Sequence, residues 1–525
     1  MTHTKYATDS KQKAPTDEQV STAQPVSDVV IAPIPWLYLL ASVGTVFVLR
    51  FWVSYTQPNI GWPDEMFQYL EPAHRLVYGY GIIPADFYIG LRSWLIPGLL
   101  TIPMYLLSLL GIEDGGYVIA IPLFLCFISV VPFFFSMLWG FRIGGVSCLL
   151  SVAFVCGVWS DFFYMAAKPL SSILATHVLF SGLFLGVSAK EGASVKKLFW
   201  VSFLCGLALT LRIQMAPIIL FSLCYFVWGS ARRSWKQLVL GASIPILFAG
   251  VLDYFTWGGF FWSYRLYLWQ HLVEGSYAHQ GGFAWYMYFV MFAKTWGWWS
   301  IPVLLLMLLG ARKQPFLFWV ALLHFGCHLF VTQKKFRFLY PSVFIGIFLA
   351  GLGVHQLFIW LRESPLTLAF QRLAIVVVLF VWALGSFTIS TYENYDDPIW
   401  LRRSSGIARW SSFRGSVEGF RMMNRDKDAC GVGLLGVHWS VTGGYYYLHK
   451  ELPIFELKSK RSYRAYYPHF NYLIVSRHLQ LKKPLGFNIV GCWSEFCLLK
   501  RPGTCDERKG YHINKELKKV FFGKR

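Results

Sequence analysis

The chain has 525 residues, 55% of them hydrophobic and only 14% charged, with a mean hydropathy of +0.46. One water-soluble core has no room for so many apolar side chains, because a folded domain must also build a polar surface, so the bilayer is their natural solvent. The net charge of +21 sits mainly in short loops and in the C-terminal part, where orientation signals and anionic lipid account for it, and no nucleic-acid-binding motif accompanies it.

In chain order, residues 1–30 are polar and read as a disordered cytoplasmic tail. The apolar run 34–53 is as long as a full span and lacks a small-residue cleavage site, so it is expected to stay as the first helix. Further apolar runs follow at about 94–111, 117–139, 145–165, 171–188, 198–228, 238–257, 286–310, 315–331, 338–361 and 373–391. Residues 31–391 are therefore expected to form an all-α polytopic membrane domain of roughly 11 to 13 transmembrane helices. Short basic loops at Lys190/Lys196/Lys197, Arg232/Arg233/Lys236, Arg312/Lys313 and Arg362/Arg372 lie on one side of the membrane together if 198–228 is a hairpin, as the positive-inside rule prefers. On that register 54–93, 258–285, the Lys334/Lys335/Arg337 cluster and everything beyond 391 face away from the cytoplasm. It also demands an odd number of crossings between residues 94 and 189, whereas four apolar runs occur there. One of the four is then partial or interfacial. Residues 392–525 read as a soluble mixed α/β domain on the outside, with short apolar runs such as Val432–Val437 and Tyr472–Val475 between turn residues. Its Cys430, Cys492, Cys497 and Cys505 permit disulfides without assigning the pairs.

The first outside loop carries the most chemistry. In Gly61-Trp62-Pro63-Asp64-Glu65 a Pro in the first helical turn is followed by two acids, and Met66, Leu70, Ala73 and Val77 form an apolar stripe able to lie on the membrane surface. A carboxylate at a helix N-terminus is kept ionised by the dipole. Beside the bilayer it is placed to take a proton from an attacking hydroxyl. The plain alternative is that Asp64 and Glu65 only open a helix.

Pro63-Asp64-Glu65 with Gln68, Glu71, His74, the Tyr78-Gly79-Tyr80-Gly81 run and Leu91-Arg92-Ser93 resembles the first luminal loop of glycosyltransferase family 22. These are the dolichyl-phosphate-mannose-dependent mannosyltransferases of N-glycan and GPI-anchor assembly. Looser matches follow in the same order at Lys168 to Ser172, Leu211-Arg212, Asp253-Tyr254, the loop through His279 to Tyr286, Gln333-Lys334-Lys335-Phe336-Arg337-Phe338, and His438 to Tyr447. This chain has Trp62 where the family more often has His, Lys168 for Arg, Ser172 for Asn, and Gln333 and Lys335 for His and Glu.

The resemblance implies a GT-C type glycosyltransferase fold and an inverting transfer of a hexose, mannose preferred. The donor would be a polyprenyl- or dolichyl-phosphate sugar and the acceptor a glycolipid or lipid-linked glycan. It would run in the endoplasmic reticulum membrane of a eukaryote or the inner membrane of a bacterium. Asp64 would be the base, with Glu65 as its neighbour. Lys168, Arg212, Lys334, Lys335 and Arg337 would hold the donor phosphate, because cations at the ends of apolar runs are costly without a task. Gln68, Arg92 and His279 would touch donor or acceptor. Membrane lipid is the expected surrounding, and no cofactor, metal or nucleic acid is called for. A transporter or flippase of lipid-linked sugars is the competing reading, though it needs no acid pair at the head of a loop and usually shows a repeated half. A subunit without activity would follow if the departures had dismantled the donor site. Two lookalikes are set aside. Gly431-Val-Gly433-Leu-Leu-Gly436 matches a dinucleotide fingerprint in letters but is expected to run on as strand. His324 and His328, four apart, have no evident third ligand and read as packed histidines.

Overall fold

Apolar runs that enter a bilayer fold as helices, since no water is there to satisfy a backbone not bonded within itself. The computed structural model describes residues 33–112, 115–191, 195–228, 231–274, 282–391, 409–477, 486–507 and 511–523; the expected tail at 1–30 falls outside them. Leu37–Arg525 make one compact unit. Helices run over Trp36–Thr56 (α1), Glu71–Tyr78 (α2), Leu95–Leu109 (α3), Tyr117–Val158 (α4), Ser171–Glu191 (α5), Val195–Leu211 (α6), Ala216–Val227 (α7), Ala231–Trp257 (α8) and Trp262–Leu272 (α9). They continue with Met287–Thr295 (α10), Ser300–Ala311 (α11), Pro315–Leu329 (α12), Tyr340–Glu363 (α13) and Leu368–Thr391 (α14). Among the described residues six helices are singly long and apolar enough to span, and α10 with the 297–311 segment makes a seventh across a bend of 112°.

Helix α4 resolves the crossing parity. At 42 residues it would measure about 63 Å, twice a hydrocarbon layer. It is instead two arms. Gly144 and Gly145 leave the helical region, and the chain doubles back so closely that a Cβ on Gly140 would lie 3.0 Å from the Val152 side chain. The turn brings Arg142 to Ser188 near the end of α5. At the far end of the first arm the Tyr117 hydroxyl donates to the Tyr446 carbonyl at 2.6 Å, in the C-terminal part of the chain. Helix α3 has that same part on both flanks: the Tyr88 hydroxyl donates to the Asn514 carbonyl at 3.2 Å, and a Cβ on Gly115 would lie 3.3 Å from the Asn424 side chain. Helix α3 therefore returns to the end it started from, and the two arms of α4 plus α5 supply the odd number of passes. Three further apolar helices, Leu95–Leu109, Ile213–Val227 and Pro315–Leu329, are too short to span singly, so the described residues give fewer full-length spans than the 11 to 13 expected.

The C-terminal part is mixed α/β, as its short apolar runs between turn residues implied. Strands Val432–Leu435 (β1), Ile454–Leu457 (β2), Tyr472–Ser476 (β3), Asn488–Trp493 (β4) and Phe496–Lys500 (β5) form one sheet in the order β2-β1-β3-β5-β4. The β2-β1-β3 side is parallel and the β3-β5-β4 side antiparallel. Disulfides join Cys430 to Cys505 and Cys492 to Cys497. The strand expected to follow the Gly431–Gly436 run is not there: β1 ends at Leu435, and the aromatic residues beyond it fold as a short turn at Trp439–Val441 and a helix at Gly444–Leu448 (α15). Gly433 lies inside β1, where a Cβ would sit 2.8 Å from the Leu457 side chain. Packing, not a nucleotide, accounts for that glycine.

Candidate active site

The loop after α1 starts its helix as the sequence implies. Pro63 occupies the first turn, where its missing N–H costs nothing. Two residues on, Glu65 reaches back: its Oε1 accepts from the Trp62 N–H at 2.9 Å while the Glu65 N–H donates to the Trp62 carbonyl at 3.1 Å. This is the Glu half of a capping box; Trp62 has no side-chain acceptor, so its carbonyl takes the return bond. Residues Glu65–Leu70 then widen into a π-helical stretch, a form that concentrates at functional sites.

The two neighbouring acids have different surroundings. The Glu65 side chain is 4% exposed and pairs with Lys168 at 3.0 Å. The Lys168 ammonium also donates to the Asn59 carbonyl at 2.7 Å and to its side chain at 2.9 Å. With a backbone N–H and a buried cation on it, Glu65 ties the loop to the segment before α5. The structure thus brings Lys168 to Glu65 and not to Asp64.

Asp64 keeps 31% of its side chain exposed, so a substrate can reach it. One oxygen pairs with Arg337, and the other accepts from Gln68 Nε2 at 3.3 Å. Gln68 also donates to Asp86 at 3.2 Å, and Asp86 pairs with Arg92 at 2.8 Å. A continuous polar chain therefore runs from Arg337 through Asp64, Gln68 and Asp86 to Arg92. Burial pushes the Asp64 carboxyl up, but the charges of Arg337, Lys335, Arg92 and Arg212 outweigh it and hold the group at about 2. Arg337 itself is locked in place. Its guanidinium lies 4.9 Å from the Trp62 ring centre and 5.5 Å from that of Phe338, whose ring also has Arg212 at 4.5 Å. The Trp at position 62 thus gives Arg337 an aromatic face, a contact worth about 2 kcal/mol when desolvated.

A cleft of about 100 Å³ opens beside this network, lined by Arg92, Ser93, Thr210, Arg212, Tyr264 and Tyr267 among others. Arg212 donates to Ser171 at 3.3 Å, and its buried Nε has no hydrogen-bond partner among the described residues. Two expected contacts fall elsewhere. Lys334 turns onto the helix it follows: its ammonium donates to the carbonyls of His328 at 3.2 Å, Leu329 at 2.8 Å and Val331, capping the C-terminal end of α12. His279 lies outside the described residues. His324 and His328 are both buried and bonded through Nδ1, to Ser342 at 2.8 Å and to the His324 carbonyl at 2.9 Å. Among the described residues no group of three or more His, Cys, Asp or Glu is placed to hold a metal.

One residue of the loop has a partner that spacing does not reveal. Glu71 is fully buried, and its carboxylate accepts three backbone N–H groups, from Ile82 at 2.7 Å, Tyr445 at 3.0 Å and Tyr446 at 2.9 Å. The last two belong to α15, more than 370 residues further along. Gly444 at φ +56° is forced by this contact, since a Cβ there would lie 2.5 Å from Glu71 Oε2. The only advance signal was that Glu71 and the Tyr445–Tyr447 run both belonged to the family resemblance.

A bundle of apolar helices with an acid-bearing loop and a sheet unit packed on the same end has the architecture of a GT-C membrane glycosyltransferase. Its fold is similar to that of ArnT from Cupriavidus metallidurans bound to undecaprenyl phosphate, with a TM-score of 0.53 at 11% identity over 90% of this chain and all of that one. Residues 42–404 match the model of the Alg9-like mannosyltransferase family, and the chain belongs to that family. Among curated relatives, GPI mannosyltransferase 3 of Yarrowia lipolytica is 49% identical over 61 residues, 11% of this chain and 12% of that protein. GPI mannosyltransferase 3 of Drosophila melanogaster is 23% identical over 290 residues, 54% of this chain and 46% of its own length. GPI alpha-1,2-mannosyltransferase 3 of Danio rerio is 23% identical over 316 residues, 58% of this chain and 57% of its own. The chain spans about half the length of these longer-matching relatives.

Proposed function

We propose that this protein transfers a mannosyl residue, with inversion, from a dolichyl- or polyprenyl-phosphate donor to a glycolipid or lipid-linked glycan. The observation that carries the proposal is Asp64: a reachable carboxylate beside a cleft with two arginines. The family and the names of its relatives support mannose and a glycosylated lipid acceptor. Two disulfides in the sheet unit favour an oxidising compartment. With the relatives' names they support the luminal side of the endoplasmic reticulum membrane as the face where the reaction runs.

In the step proposed, an acceptor hydroxyl attacks the anomeric carbon as the bond from that carbon to the phosphate oxygen breaks. The bonding pair leaves with the phosphate, and the hydroxyl proton passes to Asp64. Arg212 and Arg92 absorb the charge that grows on the leaving group. A carboxylate held near 2 is ionised at every physiological pH but is a weak base, so it takes the proton late, once bond formation has made the hydroxyl acidic. Glu65, committed to Lys168 and to the helix start, anchors the loop and stays out of the proton transfer.

The test is transfer from radiolabelled polyprenyl-phosphate mannose to lipid extract by the purified full chain. Asp64→Asn is expected to lose transfer by at least about 100-fold, the scale of one general base, when assayed well below its melting temperature, which should itself fall because Arg337 loses its partner. Full activity in that variant would overturn the assignment, and transfer of another hexose in preference to mannose would overturn the donor.

A further inference from the structure

Asp161 is fully buried and takes no part in the proposed transfer, yet it draws segments far apart in the chain onto one carboxylate. Arg409, at the head of the C-terminal part, donates to Oδ1 at 2.6 Å. The indole N–H groups of Trp159, at the end of α4, and Trp296, at the bend after α10, donate to Oδ2 at 3.0 and 2.8 Å. A buried ion pair is weak evidence for stability, since apolar side chains of similar volume often serve as well. What this one supplies is direction: an indole has a single donor, so its bond to a fixed acceptor sets the way the ring must point.

Aromatic contacts lead from this carboxylate to Arg337, the partner of Asp64, by two paths. On the first, the Arg409 guanidinium lies 5.1 Å from the Tyr164 ring centre, Tyr164 meets Trp62 edge to face at 5.8 Å, and Trp62 turns its face to Arg337 at 4.9 Å. Tyr164 also presses on the acid-bearing loop itself, because a Cβ on Gly61 would lie 2.5 Å from its hydroxyl. On the second, Trp296 packs at 6.1 Å against Phe336, the residue before Arg337. Trp62, Tyr164, Trp296 and Phe336 are all buried, and a close-packed interior transmits a displacement instead of absorbing it. Resting on the reading above, we infer that Asp161 is a positioning residue for the transfer: through Tyr164 and Trp62 on one side, and Trp296 and Phe336 on the other, it holds Arg337 against Asp64.

The experiment separates position from stability. Asp161→Asn leaves Arg409 buried without a counter-charge and is expected to melt lower, whereas adding Arg409→Gln removes the stranded cation and is expected to restore most of the melting temperature. Transfer by the purified full chain is nonetheless expected to stay down at least about tenfold in that double variant, as misplacement of a reacting group would give. The loss should fall on kcat, with KM for the lipid-phosphate mannose unchanged. In an Arg337→Gln background the same exchange is expected to add less than about twofold, because the group it positions is already gone. Trp296→Phe removes one donor and keeps a ring against Phe336, so it should lose transfer in the same way on a smaller scale. An infrared pH titration of Asp64, its band identified by its loss in Asp64→Asn, needs no turnover. As Arg337 withdraws while Lys335, Arg92 and Arg212 remain, the midpoint in the double variant is expected to rise by about one pH unit, the lower end of what a neighbouring guanidinium does to a carboxyl. Transfer that returns with the melting temperature, full additivity with Arg337→Gln, or an unmoved midpoint would sink the inference. If the native chain transfers no hexose at all, the preceding reading falls, and the titration still decides whether Asp161 holds Arg337 on Asp64.

Discussion

Asp64 and Glu65 are adjacent in sequence and identical in charge, yet their partners give them opposite tasks. The carboxylate of Glu65 is buried against a single ammonium, so removing its charge leaves Lys168 buried and unpaired. Glu65→Gln is expected to lower stability by about 3–5 kcal/mol, read as the melting temperature of the detergent-solubilised protein. The double variant with Lys168→Met should recover much of that loss, an outcome a catalytic Glu65 would not produce. For Asp64 the expectation concerns pH. Its folded value of about 2 is below the ordinary 3.8. The stabilisation from its ion pairing is therefore fully present above 3.8 and lost as pH falls through about 2. Activity should accordingly show no acid limb between pH 5 and 7 from this group. Arg337→Gln removes the foremost charge holding the value down, and the acid limb of kcat/KM should move upward; an unmoved limb would detach Arg337 from Asp64.

At the scale of elements, the lock between α2 and α15 couples the acid-bearing loop to the sheet unit. Three N–H donors converge on one buried carboxyl, which burial raises to about 7 against the pull of those hydrogen bonds, and a cluster so connected cannot shift one member at a time. Gly444→Ala should break it twice over, because φ is +56° and the new Cβ would lie 2.5 Å from Glu71 Oε2. The left-handed backbone alone costs a non-glycine residue about 1–2 kcal/mol. Transfer activity is expected to fall about tenfold, as ~1.4 kcal/mol of misplacement would give, with faster proteolysis around 444–449. Native activity and native proteolysis in this variant would mean that the loop holds its geometry without α15. The double-backed α4 belongs to the same scale: its two glycines turn one apolar stretch into a hairpin and so set the side of the bundle on which every later loop emerges.

On the scale of the whole molecule, the C-terminal part is held together across long sequence distances. The Cys430–Cys505 bridge closes a separation of 75 residues, for which the chain-entropy model gives about 4 kcal/mol. Cys430→Ser with Cys505→Ser is expected to lower the unfolding midpoint of this part by that order, and reductant should do the same to the native protein. A midpoint insensitive to both would mean that the sheet packing alone carries the unit. The bundle fixes the sheet in a second way, through the buried pair of Asp161 and Arg409 at 2.6 Å, with the indole N–H groups of Trp159 and Trp296 on the same carboxylate at 3.0 and 2.8 Å.

Local patterns decided what the chain could state about itself. Apolar length marked the helices, Pro63 and the acids marked the loop's helix, and basic loops implied that one of four runs near 94–189 does not cross, because hydropathy and turn chemistry are set by residues close together in the chain. Which run fails to cross, which acid is buried, that Lys334 caps its own helix and that Glu71 grips Tyr445 and Tyr446 were decided only by tertiary structure. Each depends on atoms brought together from distant segments, and a charged side chain's role follows from the partner it meets, which spacing along the chain does not encode.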